Sequence, residues 1–170
     1  SVAAEAVSFV TVQYSTLSGG VDINASSSIN AGNNDTTPVP GWIFPDVQWD
    51  GSTDTDWGIG TNWNTGVVPG QYDNVTIPDV SGGSNNYPQL TANSGNVTIG
   101  DLTVADVGGA EVDTNGYDLA VNSYSTTSGK IRIQGSETIT GLGTPVPGVV
   151  EYYGDGDGAS DTFTGLPAGA

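Results

Sequence analysis

Residues 96–104 read NVTIGDLTV, and the tetrad NVTI stands once before, at 74–77. From Asn74 onward the chain is a series of short apolar pulses: NVTIPDV (74–80), NVTIGDLTV (96–104), AEVDTNGYDLAV (110–121), GKIRIQGSETITG (129–141) and GVVEYYG (148–154). Val75, Val97 and Leu119 are evenly spaced along the chain. A repeat of this size, holding short strands, is the mark of a solenoid. Each coil buries its inward residues against the coils on either side. Gly, Asn and Asp at the corners supply turn and left-handed conformations. TNGYDLAV (114–121) follows this plan, a corner Asn-Gly leading into an inward Leu-x-Val. The expected fold is therefore all-β, a right-handed parallel β-helix or related β-solenoid with short strands. The alternative is an antiparallel β-sandwich, which also has many short strands and frequent turns. The strands here are very short and the polar corners recur too soon for hairpins, which favours the solenoid.

Composition agrees with an all-β chain. Twenty-six glycines and nine prolines in 170 residues leave little room for helices, since each glycine costs about 1 kcal/mol there and each proline about 3. The SVAAEA opening is the one helical candidate, and it can equally be extended. Nineteen acidic residues face Lys130 and Arg132, for a net charge of −17. Two cations cannot displace counterions from a nucleic acid, and an anionic membrane repels such a surface. No stretch is apolar enough to enter a membrane. The acidic surface suits high salt, divalent cations, or charge relieved by cations. With no Cys and no His, thiol nucleophiles, Ser-His-Asp triads and ordinary zinc sites are ruled out. The chain also lacks Met, which is read as a processed or excised piece.

The first 45 residues differ from the rest. AVSFVTVQYS (6–15) alternates as a strand, with Val7, Phe9, Val10, Val12 and Tyr14 as its apolar members. It is the candidate assembly strand, able to complete a partner's core by strand addition or simply to pair within its own domain. VDINAS (21–26) is a second strand, AGNNDTTPVP (31–40) a loop, and GWIFP (41–45) an apolar plug. The expected organisation is a closing coil and cap, or an exchanged strand segment, over 1–45. A second repeat then runs over 46–170, with a Trp-rich cap at 46–73.

WDGSTDTDWGIGTNWN (49–64) carries three tryptophans. Trp49, Trp57 and Trp63 could stack on sugar rings as a carbohydrate-binding platform. They could instead cap the open end of a solenoid, where an apolar cross-section must be covered. Asp50, Asp54 and Asp56 could gather oxygens around Ca2+, as could Asp155, Asp157 and Asp161 in DGDGASD. Both stretches also read as ordinary solvated Asp-Gly turns. No cofactor is required on this reading, and Ca2+ is the one considered. Acid–base catalysis needs two placed carboxylates, but Glu5, Glu111, Glu137 and Glu151 are scattered. Lys130 and Arg132 alternate with Ile131 and Ile133 as an outward strand face. The expected class is non-enzymatic. Asn24, Asn34, Asn74 and Asn96 stand in Asn-x-Ser/Thr sequons that permit glycosylation.

The run Trp49, Trp57, Asn62-Trp63, Gly66-Val67-Val68-Pro69, Asp73-Asn74 and Val75-Thr76-Ile77-Pro78, followed by GDLTV and NGYDLAV, resembles the start of repeat domains in very large bacterial cell-surface and adhesin-type proteins. These are β-helical proteins of Bacteroidetes-like and other environmental bacteria. GVVEYYGDGD resembles one of their later coils, and the first 45 residues a closing coil. The resemblance implies an extracellular structural module of an adhesin or filament. Its partners would be copies of itself or adjacent repeats of the same polypeptide, with glycans as a further class. It brings no catalytic residues.

Overall fold

The structure is a computed structural model that describes residues 5–8, 10–12, 23–26, 29–30, 42–43, 46–83, 85–106, 109–135 and 137–156. Among the described residues it is all-β, with fifteen short strands and a single 3-10 turn at Gly60–Asn62 as the only helical element. Every pair of named strands is parallel. The antiparallel sandwich is thereby set aside, because its hairpins would pair consecutive strands in opposite directions. The chain divides into two compact units, Ser1–Asp46 and Val47–Ala170.

The first unit holds β1 (Glu5–Ser8), β2 (Thr11–Val12), β3 (Ile23–Ser26), β4 (Ile29–Asn30) and β5 (Trp42–Ile43). One sheet has the order β1-β3-β5 and a second pairs β2 with β4. Glu5 pairs with Ile23 and Ile23 with Trp42, so this unit's circuits are of nearly equal length. The expected single strand over 6–15 is split instead. Val10 is exposed between β1 and β2, while Val12 is buried. The loop expected over 31–40 lies outside the described residues.

The second unit holds ten strands: β6 (Val47–Gln48), β7 (Val75–Ile77), β8 (Val97–Thr98), β9 (Asp101–Val104), β10 (Glu111–Asp113), β11 (Leu119–Ala120), β12 (Ser123–Ser125), β13 (Lys130–Ile133), β14 (Ile139–Thr140) and β15 (Val149–Tyr152). They form three sheets, with orders β12-β9-β7-β6, β14-β11-β8 and β10-β13-β15. The chain visits these sheets in one rotation, β8 to β9 to β10 and then β11 to β12 to β13. Each return lands beside the strand laid down one circuit earlier.

The spacing that singled out NVTI is half right. Val97 does face Leu119, and Leu102 faces Tyr124 at the same separation. Val75, however, faces Leu102, not Val97. The two NVTI copies therefore lie in different sheets. The excursion between β7 and β8 makes that circuit longer than the next one, and Gln89 within it bridges to Asp56 and to Asp113.

Side chains alternate as strands dictate. In β9, Asp101 and Thr103 face out while Leu102 and Val104 are buried. In β13, Ile131 and Ile133 are buried and Lys130 and Arg132 are half-exposed, as the sequence indicates. Val75, Leu102 and Tyr124 thus stack in one inward row, and Val97, Leu119 and Ile139 in another. Each buried Leu or Ile contributes about 1.5–3 kcal/mol of transfer free energy. Corners must let neighbouring circuits approach closely. Gly141 has φ of 86°, and a Cβ there would collide with the carbonyl oxygen of Val121. The corner Asn115-Gly116 is left-handed at both residues, with φ of 49° and 84°.

Candidate functional site

The three tryptophans are buried, at 1%, 0% and 2% exposure for Trp49, Trp57 and Trp63. Trp63 sits between the other two, with edge-to-face contacts at 5.0 Å to Trp49 and 4.7 Å to Trp57. Its indole N–H donates to the Trp57 carbonyl at 3.0 Å, and that of Trp49 to the Asn86 carbonyl at 2.6 Å. The Trp57 indole nitrogen is buried without a hydrogen-bond partner. A sugar-stacking platform needs an indole face open to solvent. None of the three offers one, so the platform expected at Trp49, Trp57 and Trp63 is not built.

Asp50, Asp54 and Asp56 shape turns. Each accepts from the backbone N–H two residues on, Ser52, Asp56 and Gly58 respectively, all at 2.8 Å. This is the local bonding that makes Asp a turn residue. At the centre lies Asn62, wholly buried. Its Oδ1 accepts from the N–H groups of Thr53 and Asp54, and its Nδ2 donates to Asp54 Oδ1 and the Asp56 carbonyl, at 2.7–3.0 Å. Asp56 also receives the Thr91 hydroxyl at 2.7 Å and the Asn93 amide at 2.6 Å. Burial pushes the Asp56 carboxyl up, but the bonds from Thr91, Asn93 and Gly58 together outweigh it and leave it below the ordinary aspartate value. Among the described residues no group of three or more acidic side chains is placed to hold a metal ion.

The outward face of β10, β13 and β15 gathers the charges. Asp56 bridges to Gln89 and Gln89 to Asp113, while Asp113 faces Arg132 and Arg132 faces Glu151. These five residues form one polar row across five circuits. Arg132 Nη1 donates to Asp113 Oδ2 at 3.1 Å, and Lys130 Nζ lies 2.6 Å from Glu151 and 3.2 Å from Glu111. Both cations of the chain are thus held between acids of the neighbouring strands. Glu151 holds the Lys130 ammonium above its usual value, and Lys130 in turn holds the Glu151 carboxyl low. Such half-exposed pairs are worth little singly; their effect here is to cancel like charge across adjacent strands. The Arg132 guanidinium lies 4.5 Å from the Tyr153 ring centre, a cation–π contact. The Tyr153 hydroxyl donates to Asp113 at 2.8 Å. Burial first, then Asp113, push the Tyr153 phenol up to about 12.

Beside this row sits a buried carboxylate. Glu137 is 1% exposed. Its Oε1 accepts from the Gln134 N–H at 2.7 Å, the Thr114 hydroxyl at 2.8 Å and the Gly116 N–H at 3.1 Å, and its Oε2 from the Gly135 N–H at 2.5 Å. One carboxylate thereby ties its own corner to the corner one circuit back. It borders a cleft of about 240 Å³ lined by Gly116, Gln134, Gly135, Glu137 and Asp155. The sequence pattern gives Glu137 and Asn62 no role of this kind, although Asn62 stands in the Asn62-Trp63 pair and Glu137 among the scattered carboxylates. Their importance comes from backbone N–H groups that only the folded corners bring together.

Of the remaining sequence candidates, Asp155 lines this cleft, and Asp157 and Asp161 lie outside the described residues. On the assembly strand, Val7 is half-buried on β1, where it faces Ala25 of the same chain; Phe9 and Tyr14 lie outside the described residues. Asn24 is on β3 and Asn34 lies outside the described residues. Asn74 is exposed, and its Oδ1 accepts from the Asp101 N–H. Asn96 and Asp118 bond reciprocally at 3.0 Å, which engages the very nitrogen a glycan would take. No described helix is long and apolar enough to cross a membrane. In comparisons with known proteins the chain matches no family model, no curated protein and no solved structure.

Proposed function

We propose that the chain is a parallel β-helical module with a structural, non-enzymatic role outside the cell, as part of an adhesin-like or filamentous assembly. One observation carries this reading. The rows Trp57–Leu90–Thr114–Ile133–Tyr152 and Asp56–Gln89–Asp113–Arg132–Glu151 keep their place through five successive circuits, the first inward and the second outward. Coils that stack in register fill one another's core, each contacting only its neighbours along the stack. The tryptophan cluster serves as the cap of the first coil, covering an apolar cross-section. The polar groups are used to hold corners. Glu137, Asp56 and Asn62 commit their lone pairs to backbone N–H groups and to neighbouring side-chain donors, which suits a scaffold better than a reacting centre.

Assembly proceeds by coil stacking. Tyr152 supports this. It shares a row with the buried Ile133, yet is 50% exposed on the last described strand. The next coil, from an adjacent repeat or a second copy, is the natural cover. The test is negative-stain electron microscopy of concentrated, never-unfolded protein. Strings or filaments of constant width are expected. Isolated particles at every concentration would overturn assembly by stacking. A solution structure with antiparallel pairing would overturn the coil itself.

A further inference from the structure

The chain contains one Asn-Gly pair, Asn115–Gly116, and it stands at a corner in the middle of the second unit. Asn-Gly is chemically fragile because glycine has no Cβ to keep its nitrogen from the asparagine side chain. The Gly116 nitrogen attacks Asn115 Cγ. A bond forms between them, the Cγ–Nδ2 bond breaks, and ammonia leaves carrying the glycine proton. Water then opens the succinimide at either carbonyl, giving aspartate or isoaspartate.

Each party to that reaction is restrained. The Asn115 Nδ2 donates to the Leu90 carbonyl at 3.0 Å, and its Oδ1 accepts from Gln134 Nε2 at 2.9 Å. Swinging Cγ over the glycine nitrogen breaks both bonds. The Gly116 N–H donates to Glu137 at 3.1 Å, so an anionic amide nitrogen would form against a buried carboxylate, which disfavours it. The product adds a negative charge between Asp113 and Glu137 in a chain already at −17. Isoaspartate also inserts a methylene into a corner that meets circuits on both sides.

We propose that Asn115–Gly116 is a latent deamidation site, held shut by Leu90, Gln134 and Glu137, whose conversion is triggered by local opening of this corner. The test is peptide mapping by mass spectrometry after incubation at mildly alkaline pH. Folded protein, protein in urea and folded Gln134→Ala are compared, with circular dichroism to verify folding. Conversion at position 115 should be slower in the folded protein than in urea by at least about tenfold, the protection that a closed native state gives. Gln134→Ala should convert measurably faster than the parent while still folded. Equal rates folded and in urea, or no conversion in urea, would overturn the proposal. A folded Gln134→Ala protein with unchanged rate would remove the clamp assigned to Gln134. If that variant does not fold, the folded-against-urea comparison decides alone.

Discussion

The first and last described circuits of the second unit share one inward row and differ in how far that row is shielded. At one end Trp57 is fully buried, backed by Trp63 and Trp49 and by the wrap of 50–64 around Asn62. In the last described strand, Tyr152 stands in the same row and is half exposed. Between them Leu90, Thr114 and Ile133 are shielded alike. The difference teaches that position in a strand sets the direction of a side chain, while the neighbouring circuit sets its burial.

The largest break in this comparison is Trp63→Ala. It removes the centre of the tryptophan cluster and should cost about 3–5 kcal/mol in urea unfolding. Trp57→Phe should cost far less than Trp63→Phe, because the Trp57 indole nitrogen has no partner to lose. Ile133→Ala against Tyr152→Ala sharpens the contrast within the row. The first should cost about 2–5 kcal/mol, and the second about 1 kcal/mol or less, as at an exposed position. Equal costs would mean that Tyr152 is covered in solution. Asn62→Ala should lose about 1–3 kcal/mol, because it removes the four hydrogen bonds that this wholly buried side chain makes.

Acid should loosen the wrap around Asn62 through Asp56. Its folded carboxyl lies below the ordinary aspartate value. Its contribution is therefore complete above that value and is lost as pH falls through the lowered one. Base should act around Tyr153. The Tyr153 phenol is raised to about 12, so its support is complete below the ordinary phenol value and fades as pH climbs through about 12. Melting curves against pH, with Asp56→Asn and Tyr153→Phe as controls, separate the two arms. The smallest effect is that of salt. Sodium chloride at neutral pH should raise the melting temperature by a few degrees as it screens the net charge, and no change would show that the charge is already compensated.

Much of the fold was legible in the pulses from Asn74 onward. Short strands, polar corners and the Leu119-x-Val121 motif after Asn115-Gly116 all report local geometry, and local geometry is what pattern encodes. The outward placing of Lys130 and Arg132 was legible for the same reason. The NVTI pairing was not, because identical tetrads satisfy any inward strand equally and the loop between 78 and 96 decides which circuit each joins. The tryptophans could be read as platform or plug, since their chemistry suits both and only burial distinguishes them. The aspartates of 50–56 looked like oxygen donors awaiting an ion; in the fold they accept from N–H groups two residues ahead. Glu137 gave no signal at all, because its partners are mostly main-chain atoms.

The placement of Lys130 and Arg132 has a consequence for proteolysis. Within this chain they are the only two positions at which a trypsin-like protease can cut. Both lie on β13, hydrogen-bonded to β10 on one side and β15 on the other. Such a protease must draw an extended segment into its cleft, and here that means pulling the middle strand out of a sheet. Digestion by this class of enzyme therefore waits for the unit to open.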